Sequence, residues 1–160
     1  VIDVGCGTGE HTLLAAEQGA DALGIDISEG AIAQAGEKAR QRKVNARFEV
    51  LDAFDLASLG ERFDIALDMG VYHVFDDLET RVRYAGVIHD VLEPGGVLHL
   101  LVFSEGTPGD WGPKRIPELE LRTTFADGWE LITLEPAQIE INPGFPVAAA
   151  DAWYLHARRA

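Results

Sequence analysis

The sequence has little cysteine and few basic residues. Cys6 is its single cysteine, and 13 basic residues face 27 acidic ones, for a net charge of −14. One cysteine excludes an internal disulfide and suits a reducing compartment, so we expect a cytoplasmic protein. The acidic balance argues against a nucleic-acid partner, because phosphate backbones are repelled. No apolar run approaches the ~18 residues that a membrane-spanning helix requires, so we expect no membrane partner.

The remaining composition is that of a folded domain. The chain has 160 residues, of which 47% are hydrophobic and 25% charged, so we expect a single domain over residues 1–160. No group of histidine, cysteine and carboxylate residues has zinc-ligand spacing, and we therefore expect no metal site. The chain begins directly with the apolar stretch Val1 to Val4, which we take as the first strand.

Short apolar runs alternate with helical patterns along most of the chain, which indicates a parallel α/β sheet. The expected strands are at 1–4, 22–27, 47–51, 63–67 and 97–103. The expected helices are at 10–18, 28–43, 78–92 and 117–125. In the third helix, three- and four-residue spacing predicts a buried face formed by Leu78, Val82, Ala85, Ile88 and Leu92. Two late strands, 130–141 and 152–158, are joined by a proline- and glycine-containing loop and should pair antiparallel.

A glycine-rich turn follows the first strand and opens the first helix. Its sequence is Asp3-Val4-Gly5-Cys6-Gly7-Thr8-Gly9. Glycines there allow a sharp turn and a close approach to a ligand. The G-x-G-x-x-G fingerprint of dinucleotide-binding folds requires glycine at residue 10, which is Glu10. A carboxylate at that position would repel a pyrophosphate, which argues against NAD, FAD and ATP.

A second acidic position lies at the end of the second strand, within Gly24-Ile25-Asp26-Ile27-Ser28. A carboxylate at this place in a nucleotide-binding sheet can accept hydrogen bonds from ribose hydroxyls. Ser28 is the better residue to cap the following helix. The pattern therefore favours ribose binding by Asp26.

The stretch from Val1 to Gly9 resembles the first motif of class I S-adenosylmethionine (SAM) dependent methyltransferases, and the resemblance extends over essentially the whole chain. It implies a Rossmann-like α/β sheet in the order 3-2-1-4-5-7-6, with strand 7 antiparallel. Members of this family usually carry a helical segment before the first strand. We therefore expect a domain without its N-terminal lid segment.

The resemblance also implies where the cofactor SAM would bind, by matching this sequence to the motifs. The glycine loop would pass beneath the methionine part, Asp26 and Ile27 would lie at the ribose, and the stretch Leu51-Asp52-Ala53-Phe54 would lie at the adenine. Asp68 and Met69 would border the methionine part. Cys6 is expected to pack in the loop rather than to act as a nucleophile. The implied cofactor-binding set is Asp3, Gly5, Cys6, Gly7, Gly9, Asp26, Ile27, Asp52, Ala53, Asp68 and Met69.

The segment after the fourth strand indicates which class of methyl acceptor the protein uses. It reads Asp68-Met69-Gly70-Val71-Tyr72-His73-Val74-Phe75 and lacks the Asn-Pro-Pro-Tyr type motif of DNA adenine and protein glutamine methyltransferases. It is more similar to small-molecule enzymes of the thiopurine, halide and bacterial phenol or heterocycle types. Tyr72 and His73 are the expected catalytic residues. His73 is interpreted either as a general base or as a residue that shapes the pocket.

The predicted reaction is in-line transfer of the SAM methyl group to an O, N or S atom of a small molecule, with S-adenosylhomocysteine as product. A halide or thiol methyltransferase and a non-catalytic SAM-binding domain remain alternatives. Trp111, in the glycine- and proline-rich loop after the fifth strand, either lines the acceptor pocket or anchors its loop. The expected acceptor-binding residues are Phe75, Phe103, Trp111 and His11.

Overall fold

A computed structural model describes residues 1–141, 144 and 146–160 of the chain. Residues 142, 143 and 145 belong to the loop predicted between the last two strands and lie outside the described residues. The described chain contains a seven-stranded sheet in the order β3-β2-β1-β4-β5-β7-β6. Its strands are β1 (Ile2–Val4), β2 (Leu23–Asp26), β3 (Arg47–Val50), β4 (Phe63–Asp68), β5 (Leu92–Phe103), β6 (Trp129–Glu140) and β7 (Ala149–Arg159).

The helices connect these strands as the alternating pattern predicts. They are α1 (Glu10–Glu17), α2 (Glu29–Arg42), α3 (Leu78–Val91) and α4 (Glu118–Thr124). Two short 3-10 helices, Ala53–Leu59 and Tyr72–Val74, follow β3 and β4 and were not predicted. The first five strands pair in parallel, and β7 is antiparallel to both β5 and β6. The predicted fold class, strand order and antiparallel seventh strand are therefore confirmed.

The buried face of α3 differs from the predicted one. Leu78 and Val82 are 41% and 47% exposed. Ala85 and Ile88 are buried as predicted, and Arg81, Tyr84 and Val91 complete the buried face. Two polar groups can enter the core because each finds a partner there: Arg81 pairs with Glu120, and the Tyr84 hydroxyl donates to Asp68.

Strand β5 also begins earlier than the sequence predicts, at Leu92 rather than at residue 97. The stretch Glu93-Pro94-Gly95-Gly96 lies within β5, and the pairing of β4 with β5 shifts register near Phe63. A Cβ on Gly96 would lie 2.9–3.1 Å from backbone carbonyl oxygens, including that of Phe63. Glycine at this position therefore allows the two strands to approach.

Among the helices in the described part of the chain, none combines the length and the apolar character that crossing a bilayer requires.

Candidate functional site

A cavity of about 390 Å³ lies beyond the carboxyl ends of the first four strands. This is where open parallel sheets bind ligands. Each strand contributes to its wall: Gly5 after β1, Asp26 and Ile27 at the end of β2, Asp52 and Ala53 after β3, and Gly70, Val71 and Phe75 after β4. We call this space the first cavity.

The glycine loop shapes one wall of the first cavity. Gly5 has a φ of 68°, and a Cβ there would lie 2.1 Å from the Val71 side chain, so the loops after β1 and β4 can touch only with glycine at this position. Gly7, with a φ of 53°, faces open space, since a Cβ there would meet nothing within 4 Å. The loop thus leaves room for a ligand beside Gly7.

Asp26 links the loop to the second strand. Its Oδ2 accepts a hydrogen bond from the Gly7 backbone N–H at 2.9 Å, and its Oδ1 accepts one from the Ser28 N–H at 2.8 Å. A carboxylate has about four acceptor positions, so both oxygens can still accept a hydrogen bond from a ligand. Ser28 also caps α2 through Ala31, as predicted. The geometry is suited to the two hydroxyls of a ribose.

The far end of the first cavity offers a polar group and an apolar surface. The Asp52 carboxylate caps the 3-10 helix after β3, where its Oδ1 accepts from the Phe54 N–H at 2.9 Å. Ala53 lines the cavity beside it. Ile27 is 74% exposed and projects at the cavity wall. An aromatic base could pack on Ile27 with its polar edge towards residues 52 and 53.

Asp3 and Cys6 support the loop from behind. Asp3 is buried, and its carboxylate accepts a hydrogen bond from the Thr12 hydroxyl at 2.7 Å, which ties β1 to α1. Neither Asp3 nor Cys6 is among the residues that line the first cavity. Burial raises the pKa of the Cys6 thiol to about 12, so the thiol stays protonated at neutral pH. A packing role for Cys6, rather than a nucleophilic one, agrees with this environment.

Asp68 is placed differently from its predicted position beside the cofactor. It is fully buried and accepts hydrogen bonds from the backbone N–H groups of Gly70, Val71 and Tyr72 at 2.7–3.0 Å and from the Tyr84 hydroxyl at 2.8 Å. Burial raises the pKa of Asp68, and these hydrogen bonds oppose that shift. The prediction is corrected: Asp68 shapes the turn that follows β4. Met69 is half-buried and does not line the first cavity.

The prediction that Tyr72 is catalytic is also corrected. The side chain is fully buried, and its hydroxyl shares a hydrogen bond of 2.9 Å with the Thr124 hydroxyl of α4. Its ring lies 6.0 Å from that of Phe125, and burial raises the pKa of the phenol. A sealed, neutral phenol cannot reach an acceptor, so Tyr72 is a core residue and not a catalytic one.

A second cavity, of about 740 Å³, lies between the 3-10 helix after β4 and the loop after β5. Val74 lines both this cavity and the first one, so the two spaces share a wall. The other residues that line the second cavity are His73, Gly109, Asp110, Gly112, Pro113, Lys114 and Arg115. The basic pair Lys114-Arg115 was missed by the sequence analysis, although its position in the loop after β5 pointed to this side of the sheet.

His73 lines the second cavity but is not arranged as a base. Its ring is buried, and Nδ1 accepts a hydrogen bond of 3.1 Å from the Phe103 backbone N–H. Burial, with Arg115 and Arg81 nearby, lowers the pKa of His73 to about 4. The lone pair is therefore used within the protein, and the ring is neutral at pH 7. Of the two interpretations left open by the sequence, the geometry favours the pocket-shaping one.

None of the three aromatic residues expected at the acceptor lines the second cavity, and only Phe75 lines the first. Phe103 is 6% exposed and packs against His73, while Trp111 lies edge-on to Phe103 with ring centroids 5.7 Å apart. The Arg115 guanidinium lies 5.1–5.5 Å from both the Trp111 and Phe103 ring centroids, so Trp111 anchors its loop. Phe75 lines the first cavity and not the second.

His11 is the last of the predicted site residues. It is exposed on the first turn of α1 and lines neither cavity, so its predicted contact with the acceptor is corrected. Among the residues that the structure describes, no group of three or more histidine, cysteine and carboxylate side chains could hold a metal ion.

Comparison with known proteins points to one family. The profile described as "Methyltransferase domain" matches residues 1–96. The 2-heptyl-1-hydroxyquinolin-4(1H)-one methyltransferase of Mycobacteroides abscessus is 31% identical over 145 residues, which is 89% of this chain and 63% of that protein. The ubiquinone biosynthesis O-methyltransferase of Ruegeria pomeroyi is 37% identical over 98 residues, which is 61% of this chain and 38% of that protein. The chain thus spans less than two thirds of the length of either relative.

Solved structures agree with this assignment. A protein described for the conversion of a disulfide bond into a thioacetal group during echinomycin biosynthesis is 34% identical, with a TM-score of 0.83 over 99% of this chain and 74% of that chain. A SAM-dependent methyltransferase of Methanosarcina mazei, 23% identical, shares the fold, with a TM-score of 0.83 over 99% of this chain and 91% of that chain. Since the family profile covers more than half of the sequence and the sheet has the expected order, the chain belongs to the class I SAM-dependent methyltransferases.

Proposed function

We propose that the first cavity binds SAM and that the protein transfers the methyl group of SAM to an O, N or S atom of a small molecule held in the second cavity. A phenol or a heterocycle is the favoured acceptor. The observation that carries this proposal is the Asp26 carboxylate, which lies at the end of β2 with acceptor positions open to the first cavity.

The residues present fit SAM better than a dinucleotide. Asp26 would hold the ribose, Asp52 would accept from the adenine amine, and the Ala53 backbone N–H would reach a ring nitrogen. Glu10 occupies the position of the third glycine in a dinucleotide fingerprint, and hydrogen bonds from Lys38 and Arg42 lower its pKa. The dinucleotide fingerprint requires glycine at this position, so a glutamate there disfavours a dinucleotide.

The chemistry of the bound cofactor is simple: its sulfonium makes the methyl carbon electrophilic, so that a nucleophile can displace S-adenosylhomocysteine in line. The protein contributes by positioning the acceptor and the methyl group relative to each other. Val71, Val74 and Phe75 present apolar side chains at or near the wall between the cavities and would exclude water. Holding the acceptor in line with the methyl group can supply much of the rate enhancement without a protein acid or base.

The relatives support a small-molecule acceptor. The names of the two curated relatives describe a hydroxyquinolone methyltransferase and an O-methyltransferase of ubiquinone biosynthesis. We extend to this chain only the chemistry that these names share, methylation of a small molecule. With one cysteine and a net charge of −14, we also propose a cytoplasmic location and no nucleic-acid partner.

A panel of acceptors with isotope-labelled SAM tests this proposal. We expect labelled product with phenols or N-heterocycles, and no binding of NAD in a parallel titration. Labelled product from thiols or halides alone would favour the halide or thiol methyltransferase alternative. SAM binding without transfer to any acceptor would favour a non-catalytic SAM-binding domain, and the absence of SAM binding would refute the proposal.

A further inference from the structure

We propose that the second cavity takes its acceptor as an aromatic oxyanion, held by the His73 Nε2–H and the Lys114 ammonium, and that no protein base removes a proton. The class meant is a phenolate or the deprotonated hydroxyl of a heterocycle. This inference rests on the proposed methyl transfer. It goes further in naming the ionisation state of the acceptor and the two groups that recognise it.

The hydrogen bonding of His73 fixes its tautomer. A backbone N–H is always a donor, so the Phe103 N–H requires an unprotonated Nδ1, and the neutral ring carries its proton on Nε2. His73 is 6% exposed, and its Nε2 has no partner among the described residues. This atom keeps some solvent exposure, because Arg81 Nε is the one fully buried side-chain nitrogen or oxygen without a partner in the described chain. It lies on the side of the first cavity, since a Cβ on the lining residue Gly70 would be 3.5 Å from it. An unpaired donor in a cavity wall is suited to an oxygen acceptor.

The charges around His73 favour an anion. Arg115 and Arg81 oppose protonation of the ring, and Lys114 and Asp110 line the same cavity. Lys114 is held beside His73, since its backbone N–H donates to the His73 carbonyl at 3.0 Å. The lining of the cavity thus has two cationic side chains and one acidic one, and a second carboxylate, that of Asp76, pairs with Lys114.

The two basic residues of the second cavity have different roles. The Arg115 guanidinium donates to the carbonyl oxygens of Thr107, Trp111 and Pro113, so it organises the loop. Lys114 Nζ instead pairs at 3.1 Å with Asp76, which is 85% exposed. Exposed ion pairs contribute little to stability, so the ammonium can exchange Asp76 for a ligand oxygen at small cost.

The reaction then requires no proton transfer within the protein. The acceptor loses its proton to water before it binds. The phenolate oxygen forms a bond to the methyl carbon while the C–S bond breaks, and that electron pair moves to sulfur. The products are a methyl ether and S-adenosylhomocysteine. Nε2–H would stay on His73 throughout.

The pH dependence of kcat/KM for the unmodified protein tests the inference. We expect kcat/KM to rise with pH to a plateau, and the midpoint to follow the pKa of the acceptor across a series of substituted phenols. A midpoint that is the same for every acceptor would overturn the inference, because it would report a protein base. Absence of transfer to all acceptors would instead count against the proposed function itself.

Variants provide an independent test. His73→Leu removes the donor and should lower kcat/KM about tenfold, mainly through KM, which is the effect expected for one charge-assisted hydrogen bond. His73→Gln should restore most of this loss, since its amide can accept from Phe103 and donate to the acceptor but cannot act as a base. Lys114→Met should also raise KM, and Lys114→Arg should partly restore it.

Tyr72→Phe is the matched control, because it alters the neighbouring buried side chain without touching either cavity. We expect its kcat/KM to match that of the unmodified protein. SAM affinity, measured by calorimetry, reports whether each variant remains folded. Equal loss of activity in folded His73→Gln and His73→Leu variants would contradict the donor role.

Discussion

Replacement of Asp26 by alanine is expected to weaken SAM binding about 30- to 150-fold, which corresponds to the ~2–3 kcal/mol of hydrogen bonds to a charged group. The carboxylate lies at the wall of the first cavity and orients the Gly7 N–H. The variant therefore loses both the ribose acceptor and a contact that shapes the loop. Titration calorimetry with SAM and with S-adenosylhomocysteine measures the effect.

The matched control for Asp26 is Asp21→Ala. Asp21 precedes the same strand and is an exposed carboxylate that pairs with Arg47 at 3.4 Å, away from the first cavity. Its removal changes the net charge equally, so it should leave SAM affinity nearly unchanged. If Asp26→Ala lowered SAM affinity by less than about threefold, the ribose assignment would be refuted. Such a loss is well below that expected for one hydrogen bond to a charged group.

Replacement of Asp68 by asparagine is expected to lower the free energy of unfolding by about 2–4 kcal/mol. The carboxylate accepts from three backbone N–H groups and from Tyr84 in a fully buried position. An amide offers one oxygen, and its NH₂ group would face donors. The turn that carries His73 depends on these bonds, so acceptor turnover should fall as well. Urea unfolding monitored by circular dichroism measures the stability change.

Tyr84→Phe separates the parts of this network. It removes one of the donors to Asp68 and keeps the backbone contacts, so we expect a smaller loss of about 1 kcal/mol. If Asp68→Asn proved as stable as the unmodified protein, the turn would not depend on this carboxylate. If the two variants lost equal stability, the backbone contacts would contribute little.

The sheet and much of the lining of the first cavity could be predicted because their signals are local. Apolar runs, the glycine loop and the cap at Ser28 each depend on a few neighbouring residues, and the structure confirms the strand order that the family resemblance implied. The placement of Asp26 beside Gly7 follows from parallel strands whose carboxyl ends share one edge.

The acceptor side could not be predicted as well, because it depends on contacts between distant residues. Sequence shows that Tyr72 and His73 follow β4, but it does not show that Tyr72 meets Thr124 of α4 or that His73 meets the Phe103 N–H. The contact with Thr124 holds the Tyr72 side chain in the core. The contact with the Phe103 N–H leaves His73 Nε2 as a donor. The buried face of α3 was predicted only in part for the same reason, since the burial of Arg81 depends on its ion pair with Glu120.

Amide hydrogen exchange of the native chain, with and without S-adenosylhomocysteine, tests the central claim most directly. The account predicts that the ligand protects backbone amides in residues 5–9, 26–28, 52–54 and 70–75, which form or adjoin the wall of the first cavity. Amides in α2 and at the amino ends of the strands should exchange as before. Unchanged exchange in the four segments, or protection confined to other residues, would contradict the assignment of the first cavity as the SAM site.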